Sequence, residues 1–190
     1  MKFATSILGA LALLFVFGQG VARADPPGDP TAVSQDANGE WHDKNGDPTY
    51  KIDKDGTVDF YTGTGFVQYG ANCLVCHGPD GLGSSYAPNL TEMLKQLSYT
   101  DVFGIVAGGK RDVSSSQDLV MPSFGTNKNV MCHLDPIYIY LRARSNGAFE
   151  RGRPAKIGPK PASYSKIEDA CFDAGSAPAQ APAPAPAPKK

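Results

Sequence analysis

The chain has 190 residues, 41% of them apolar, with a formal net charge of −1 and four cysteines. That supports one compact domain with extensions, and the near-neutral balance excludes a bulk basic footprint for nucleic acid.

Lys2 supplies a positive start, and residues 7–17 run for eleven positions without a polar side chain. Ala22-Arg23-Ala24 then offers small residues where a signal peptidase reads. The segment predicts a signal peptide over residues 1–24, cleaved after Ala24, with an uncleaved anchor as the competing reading. Eleven apolar residues fall short of the ~20 that a spanning helix needs, so no membrane span is expected in the mature chain. Export places the mature protein in the periplasm, where disulfides persist.

Residues 25–61 read as an acidic N-terminal extension. Between positions 25 and 59 it carries nine acids against three lysines. Trp41-His42 and Thr49-Tyr50-Lys51-Ile52 flank the turn signal Lys44-Asn45-Gly46-Asp47, and Asp55-Gly56 leads into Val58 and Phe60. Short β-branched or aromatic runs around such turns predict small hairpin-like strands. Asp43, Asn45 and Asp47 have the opening spacing of a calcium loop, but Pro48 stands where that loop needs glycine. A solvated acidic turn is the expectation. His42 is expected at the surface rather than on a metal.

Residues 62–148 contain the stretch around which the rest is organised, Cys73-Leu74-Val75-Cys76-His77. Two cysteines three apart, followed at once by histidine, form the c-type haem attachment pattern. One helical turn presents both sulfurs to the two vinyl groups of one porphyrin, and the next residue reaches the iron. Two other readings stay open. Zinc could take Cys73, Cys76, Cys132 and His133, and a redox dithiol could use the two cysteines alone.

Gly65 and Tyr69 lie eight and four positions before Cys73 on a helical stretch, and Tyr140-Leu141 falls on a later one. On these positions the chain resembles the class I cytochromes c, in which such a glycine and aromatic meet an aromatic-Leu pair where the first and last helices cross. Asp135-Pro136 suits the start of the last helix, as N-cap and first residue. Thr91 is the expected cap of a helix to about Leu97, and Tyr99 to Val106 reads as another, ended by Gly108-Gly109. The resemblance extends to Ala87-Pro88-Asn89-Leu90. It implies that the Pro88 carbonyl accepts the Nδ1 hydrogen of His77 and that Leu90 packs on the porphyrin. It also implies that Met121, a loop methionine in Leu119-Val120-Met121-Pro122, is the distal iron ligand. Met131 and His133 are its rivals, and Met93 is a packing residue. The expected metal ligands are therefore His77 and Met121, and the cofactor is one haem c held by Cys73 and Cys76.

Cys132 and Cys171 remain, and a bridge between them is the economical assignment in an exported chain. It would strap a C-terminal extension, residues 149–173, across the domain. Residues 142–166 carry seven bases against Glu150 alone, so the two extensions form opposite charge poles. Either they attract each other, or one pole steers a partner. Residues 174–190 form an Ala-Pro tail expected to be disordered.

The fold class expected is mainly α, a class I cytochrome c fold around one covalent haem. A small irregular or β-hairpin N-terminal extension and a disulfide-strapped C-terminal one complete it. Residues 55–171 resemble a narrower group, the four-cysteine c-type cytochromes of bacterial methanol metabolism. The match lies in Gly56-Thr57-Val58-Asp59-Phe60-Tyr61-Thr62, residues 73–83, Val120-Met121-Pro122-Ser123-Phe124 and Tyr138-Ile139-Tyr140-Leu141-Arg142-Ala143-Arg144. This resemblance implies a periplasmic electron carrier, not an enzyme. It would accept single electrons from a PQQ-dependent methanol dehydrogenase, the lanthanide-using type among them, and pass them to a small c-type cytochrome or terminal oxidase. The alternatives are a carrier for another periplasmic dehydrogenase, a small haem peroxidase and a haem-based sensor.

Overall fold

A computed structural model describes residues 28–113 and 118–174; the segment expected to be a signal peptide, residues 1–24, and the Ala-Pro tail beyond residue 174 lie outside them. Three two-residue strands come first: β1 (Ser34–Gln35), β2 (Trp41–His42) and β3 (Pro48–Thr49). They pair antiparallel in that order, with Trp41 opposite Gln35 on one side and Thr49 on the other. Helix α1 (Phe60–Asn72) runs into the single turn α2 (Leu74–His77), a 3-10 turn over Pro79–Gly81, α3 (Leu90–Met93) and α4 (Tyr99–Gly108). An antiparallel hairpin, β4 (Lys110–Val113) and β5 (Asp118–Met121), precedes α5 (Lys128–Met131), α6 (Leu134–Ser145) and α7 (Tyr164–Asp173). The architecture is mainly helical, as expected.

The crossing of α1 and α6 sets the frame. A Cβ built on Gly65 would lie 1.8 Å from the Pro136 carbonyl oxygen and 2.7 Å from Cβ of Tyr140. Only a hydrogen fits there, so the two backbones touch. Around that contact Tyr140 meets Phe66 edge-to-face at 5.7 Å and Tyr69 at 5.4 Å. Tyr69, Ile137, Tyr138, Tyr140 and Leu141 form the buried centre, joined by Leu94, Tyr99 and Val102 from the α3–α4 side. Burying such side chains contributes about 1.5–3 kcal/mol each, which makes this crossing the stabilising core.

Helix starts follow local hydrogen-bond chemistry, and three differ from expectation. Phe60, read as part of a hairpin, opens α1 instead, because Asp59 caps it by accepting the Thr62 amide at 3.0 Å. Asn89 rather than Thr91 caps α3, accepting the Thr91 and Glu92 amides at 2.9 and 3.3 Å. An amide side chain at that position satisfies two orphan donors at once. Asp135 does not cap α6. The helix begins at Leu134 after His133, and the Asp135 carboxylate instead accepts the buried Tyr99 hydroxyl. Pro136 is tolerated in the first turn because its missing N–H would have no helical partner there. Ser98 and Asp101 form a reciprocal capping box on α4, and Gly109 ends it.

The two extensions close on the helical domain and on each other. Val58 is buried; its N–H donates to Lys156 at 3.1 Å, and its carbonyl accepts from Gly158 at 2.8 Å. Asp55 pairs with Lys156 at 2.9 Å. Cys132 and Cys171 are bridged, Cα to Cα 5.8 Å and 39 positions apart in sequence, pinning α7 beside the end of α5. Closing a loop of that length restricts the unfolded chain by about 4 kcal/mol in the chain-entropy picture. Next to the bridge, His133 contacts Glu168 and the Asn129 carbonyl, each at 2.8 Å.

Candidate haem site

Cys73 ends α1, its N–H donating to the Tyr69 carbonyl at 2.9 Å, and starts the next turn by accepting from Cys76 and His77 at 3.2 and 3.0 Å. One turn of backbone therefore carries both thiols and the imidazole. Neither thiol is in a disulfide. Burial, followed by the neighbouring Cys76, pushes the Cys73 thiol up to about 11. A redox dithiol needs the opposite, a lowered thiol pKa, so the dithiol reading loses its support. The zinc reading fails as well, since Cys132 is bridged and both His133 ring nitrogens have partners.

His77 is 8% exposed, and its Nδ1 lies 3.2 Å from the Pro88 carbonyl. Burial holds the ring below the ordinary histidine range, against the Pro88 bond, which pulls it up. The ring is then neutral: Nδ1–H donates to Pro88 and Nε2 keeps a free lone pair. Pro88 is fixed in turn. Gly83, with φ +85°, turns so tightly that a Cβ there would meet the Asn89 nitrogen at 2.7 Å. The Gly83 N–H donates to the His77 carbonyl at 2.8 Å, and the Ser84 hydroxyl donates to Cys76 O at 2.5 Å. Leu90, first residue of α3, packs with Cys73 against the central cluster.

Met121 comes from another part of the chain. It ends β5 opposite Lys110, so it is a strand residue rather than the loop methionine expected. The residues after it are stitched to the end of α4: Phe124 N–H donates to Val106 O at 3.0 Å and the Ser123 hydroxyl to Ala107 O at 2.5 Å. Gly109, with φ +78°, lies against the Met121 carbonyl, where a Cβ would come within 2.8 Å. Cys73, Cys76, His77, Pro88 and Leu90 thus lie close together in the chain from α1 to α3, and Met121 lies on the separate pair of strands held to the end of α4. His42, whose Nδ1 faces Gly46 O at 3.2 Å, stays in the N-terminal sheet. Met131 ends α5 directly before the bridged Cys132. Among the described residues, no cluster of three or more His, Cys, Asp or Glu could hold a metal ion; the turn at Asp43 differs from the solvated one expected, since its carboxylate is buried and bonded to Arg142.

The chain is 48% identical to the c-type cytochrome XoxG from Methylobacterium extorquens AM1, with a TM-score of 0.69 over 75% of this chain and 86% of that one. The chain belongs to the c-type cytochromes. It is also 36% identical to cytochrome c-555 of Methylococcus capsulatus over 52% of this chain and 75% of that protein. Cytochrome c-553I of Paracoccus denitrificans matches at 47% identity over 77% of this chain, which spans 65% of that relative's length. No family profile matches.

Haem c is the cofactor of this cytochrome family, and the donor set fits it. Two unbridged thiols on one turn, an imidazole with one nitrogen tied and one free, and apolar neighbours are what a covalently held porphyrin requires. Sequence reading placed Tyr69 at the helix crossing but missed its hydroxyl contact here, and it missed Asp80. The Tyr69 hydroxyl donates to the Gly78 carbonyl at 2.5 Å, and Asp80 holds φ 60°, the one non-glycine residue in the left-handed region among those described. Aspartate between Pro79 and Gly81 was the available signal, since Asp tolerates that conformation better than most residues.

Proposed function

We propose that this cytochrome is a periplasmic monohaem electron carrier, not an enzyme, that takes single electrons from a PQQ-dependent methanol dehydrogenase. A small c-type cytochrome or terminal oxidase receives them. Haem c supplies an iron that alternates between ferrous and ferric states. Cys73 and Cys76 would hold it covalently, and His77 and Met121 would be its axial ligands. The observation that carries this reading is the His77–Pro88 bond. It selects the tautomer, aims Nε2 and keeps the ring fixed while the iron charge changes. Leu90 would pack on the porphyrin, and a methionine sulfur opposite histidine favours the reduced form. With His77 and Met121 both holding it, the group would change valence without binding substrate.

A peroxidase would want a distal acid–base pair, and both spare histidines are already engaged by Gly46, Asn129 and Glu168. The dehydrogenase partner rests on the resemblance of residues 55–171 to the methanol-metabolism cytochromes, and export rests on residues 1–24. No helix among the described residues is long and apolar enough to cross a membrane. Leu74 and Val75, between the two cysteines, are 40% and 84% exposed and offer a small apolar contact for the partner. Part of the charge of the poles is used internally: Arg142 is 2% exposed and bonded to Asp43, and Lys156 pairs with Asp55, while Arg151 reaches Asp80 of the haem domain. Two of these pairs, Arg142 with Asp43 and Lys156 with Asp55, join the two poles, and the buried Arg142 is not available to a partner.

Stopped-flow mixing of the oxidised holoprotein with purified, substrate-reduced methanol dehydrogenase tests the assignment. Second-order haem reduction is expected, and carbon monoxide should bind the ferrous protein poorly. No reduction removes the partner; rapid carbon monoxide binding removes the closed electron carrier.

A further inference from the structure

Three positions after His77 the chain adopts a conformation that needs outside support. Asp80 sits at φ 60°, ψ 16°, and its carboxylate is buried. Its Oδ1 accepts the Gly152 N–H at 2.9 Å, and its Oδ2 accepts Nε of Arg151 at 3.0 Å. Both donors belong to the C-terminal extension. That extension is anchored on α6 at its own start. Arg144 donates to the Phe149 carbonyl at 2.6 Å and lies over the Phe149 ring at 5.5 Å, and that ring meets Tyr140 at 5.9 Å. A strained residue persists only where its surroundings over-determine it. Here the surroundings come from 71 and 72 positions away in sequence.

The other side of the same loop is tied to the domain. The Tyr69 hydroxyl donates to Gly78 O at 2.5 Å and the Gly83 N–H to His77 O at 2.8 Å. Gly78, Gly81 and Gly83 have φ of 71°, 75° and 85°, so the loop owes its shape to few rotations and to these bonds. Without the Asp80 contacts it would keep one firm side and one free side.

We propose that the C-terminal extension clamps the loop behind His77 through Asp80, making Asp80 and Arg151 positioning residues for the proximal ligand. The proposal rests on the reading of Cys73, Cys76 and His77 as the haem-holding residues. It gives the extension a task at the redox centre beyond packing.

The test uses the holoprotein and three variants. Asp80→Gly removes both contacts yet suits a positive φ. Asp80→Asn keeps an acceptor and tolerates that φ, and Arg151→Gln changes a side chain that is 66% exposed. The first readout is exchange of the Gly83 amide. Losing a hydrogen bond worth about 1 kcal/mol predicts ~5–10-fold faster exchange in Asp80→Gly and a smaller increase in Arg151→Gln. Asp80→Asn should return it toward wild type. The second readout is the set of paramagnetically shifted His77 and haem-methyl resonances, expected to move in Asp80→Gly and recover in Asp80→Asn. Removing a negative and a positive charge shifts a purely electrostatic effect in opposite senses, whereas a loosened clamp speeds exchange in both. Unchanged exchange and unchanged resonances in Asp80→Gly, with covalent haem present, overturn the clamp alone. If Asp80→Gly does not mature, unchanged Gly83 exchange in Arg151→Gln overturns it. Wild-type protein whose intact mass shows no haem on the chain overturns the site reading and the clamp's role together.

Discussion

Asp43 and Arg142 meet at 2.7 Å with both side chains almost wholly buried, 99 positions apart in sequence. The pair fixes the N-terminal sheet to α6. Arg142 also donates to the Pro48 carbonyl at 2.9 Å and to Gly28 O at 3.2 Å, while Asp43 accepts the Asn45 and Asp47 amides at 2.8 and 3.1 Å. Every strong group has a partner, so removing one leaves a buried charge exposed to nothing. Asp43→Ala should therefore destabilise the fold by about 3–5 kcal/mol, whereas an Asp43→Ala/Arg142→Met double variant should recover part of that loss. Chemical denaturation of the four proteins of the cycle measures it. A loss under 1 kcal/mol for Asp43→Ala would mean the pair is not what holds the sheet.

Gly65→Ala should cost at least ~3 kcal/mol, because the added methyl meets backbone atoms of Pro136 rather than a side chain that can swing away. Gly70→Ala, on the same helix with open space around it, should be neutral or slightly stabilising. Thermal unfolding of the two side by side decides whether the helix crossing is as tight as described. Equal midpoints would contradict it.

How much of this was legible in the sequence depends on the range of the interaction. The attachment turn, Gly65, Tyr69 and Tyr140 could be read because their meaning lies in spacing along one or two helices. The bridge of Cys132 and Cys171 followed from counting thiols. The pairing of β4 and β5 has no signal in the sequence, so Met121 reads there as a loop residue while the fold places it in a strand. The strands are four residues each, and their pairing depends on α4 ending at Gly109. Asp135 looked like a cap because local chemistry favours it; a tyrosine hydroxyl 36 positions away claims it instead. The charge poles were visible as composition, but their partners, Asp43 with Arg142 and Asp80 with Arg151, are long-range and appear only in the folded chain.

Glu40 makes stability depend on pH. Burial first, then the nearby Asp135, Asp36 and Asp59 carboxylates, pushes its carboxyl from 4.5 up to about 9, with His42 Nε2 3.7 Å away. The folded state holds that proton while the unfolded state releases it. Stability from this group is therefore full below about pH 4.5 and is lost as pH rises toward 9. Glu40→Gln should be more stable than wild type at pH 8 by ~1 kcal/mol or more, and the difference should vanish at pH 4.5. Denaturation midpoints across that range check it; a constant offset would show that Glu40 stays ionised in the fold.

Met121→Ala should lower the reduction potential and admit carbon monoxide to the ferrous protein, with covalent haem retained. Met131→Ala should do neither. The near-infrared methionine-to-ferric-iron band is the direct readout, and its loss in the Met131 variant would transfer the distal ligand to that residue.

Docking gives the last prediction. Electron transfer needs close approach and quick release, which a small apolar contact supplies better than a large charged one. Val75, the more exposed of the two residues between the cysteines, is its best candidate. Val75→Asp places a charge in that contact and should slow second-order reduction by the dehydrogenase about tenfold, the effect of losing ~1.4 kcal/mol at a central interface residue. Its haem spectrum and potential should stay near wild type. Arg142 and Lys156 close pairs between the poles and Arg151 reaches Asp80, so the wild-type rate should fall only modestly with salt, screening acting on the bases of residues 142–166 left outward. Among those is Arg153, beside the cleft of Phe66, Val67 and Leu74. A salt series of wild type, Val75→Asp and Arg153→Gln separates the contributions. An undisturbed rate in Val75→Asp, together with a steep salt slope that Arg153→Gln flattens, would place recognition on the basic rim instead of the apolar turn.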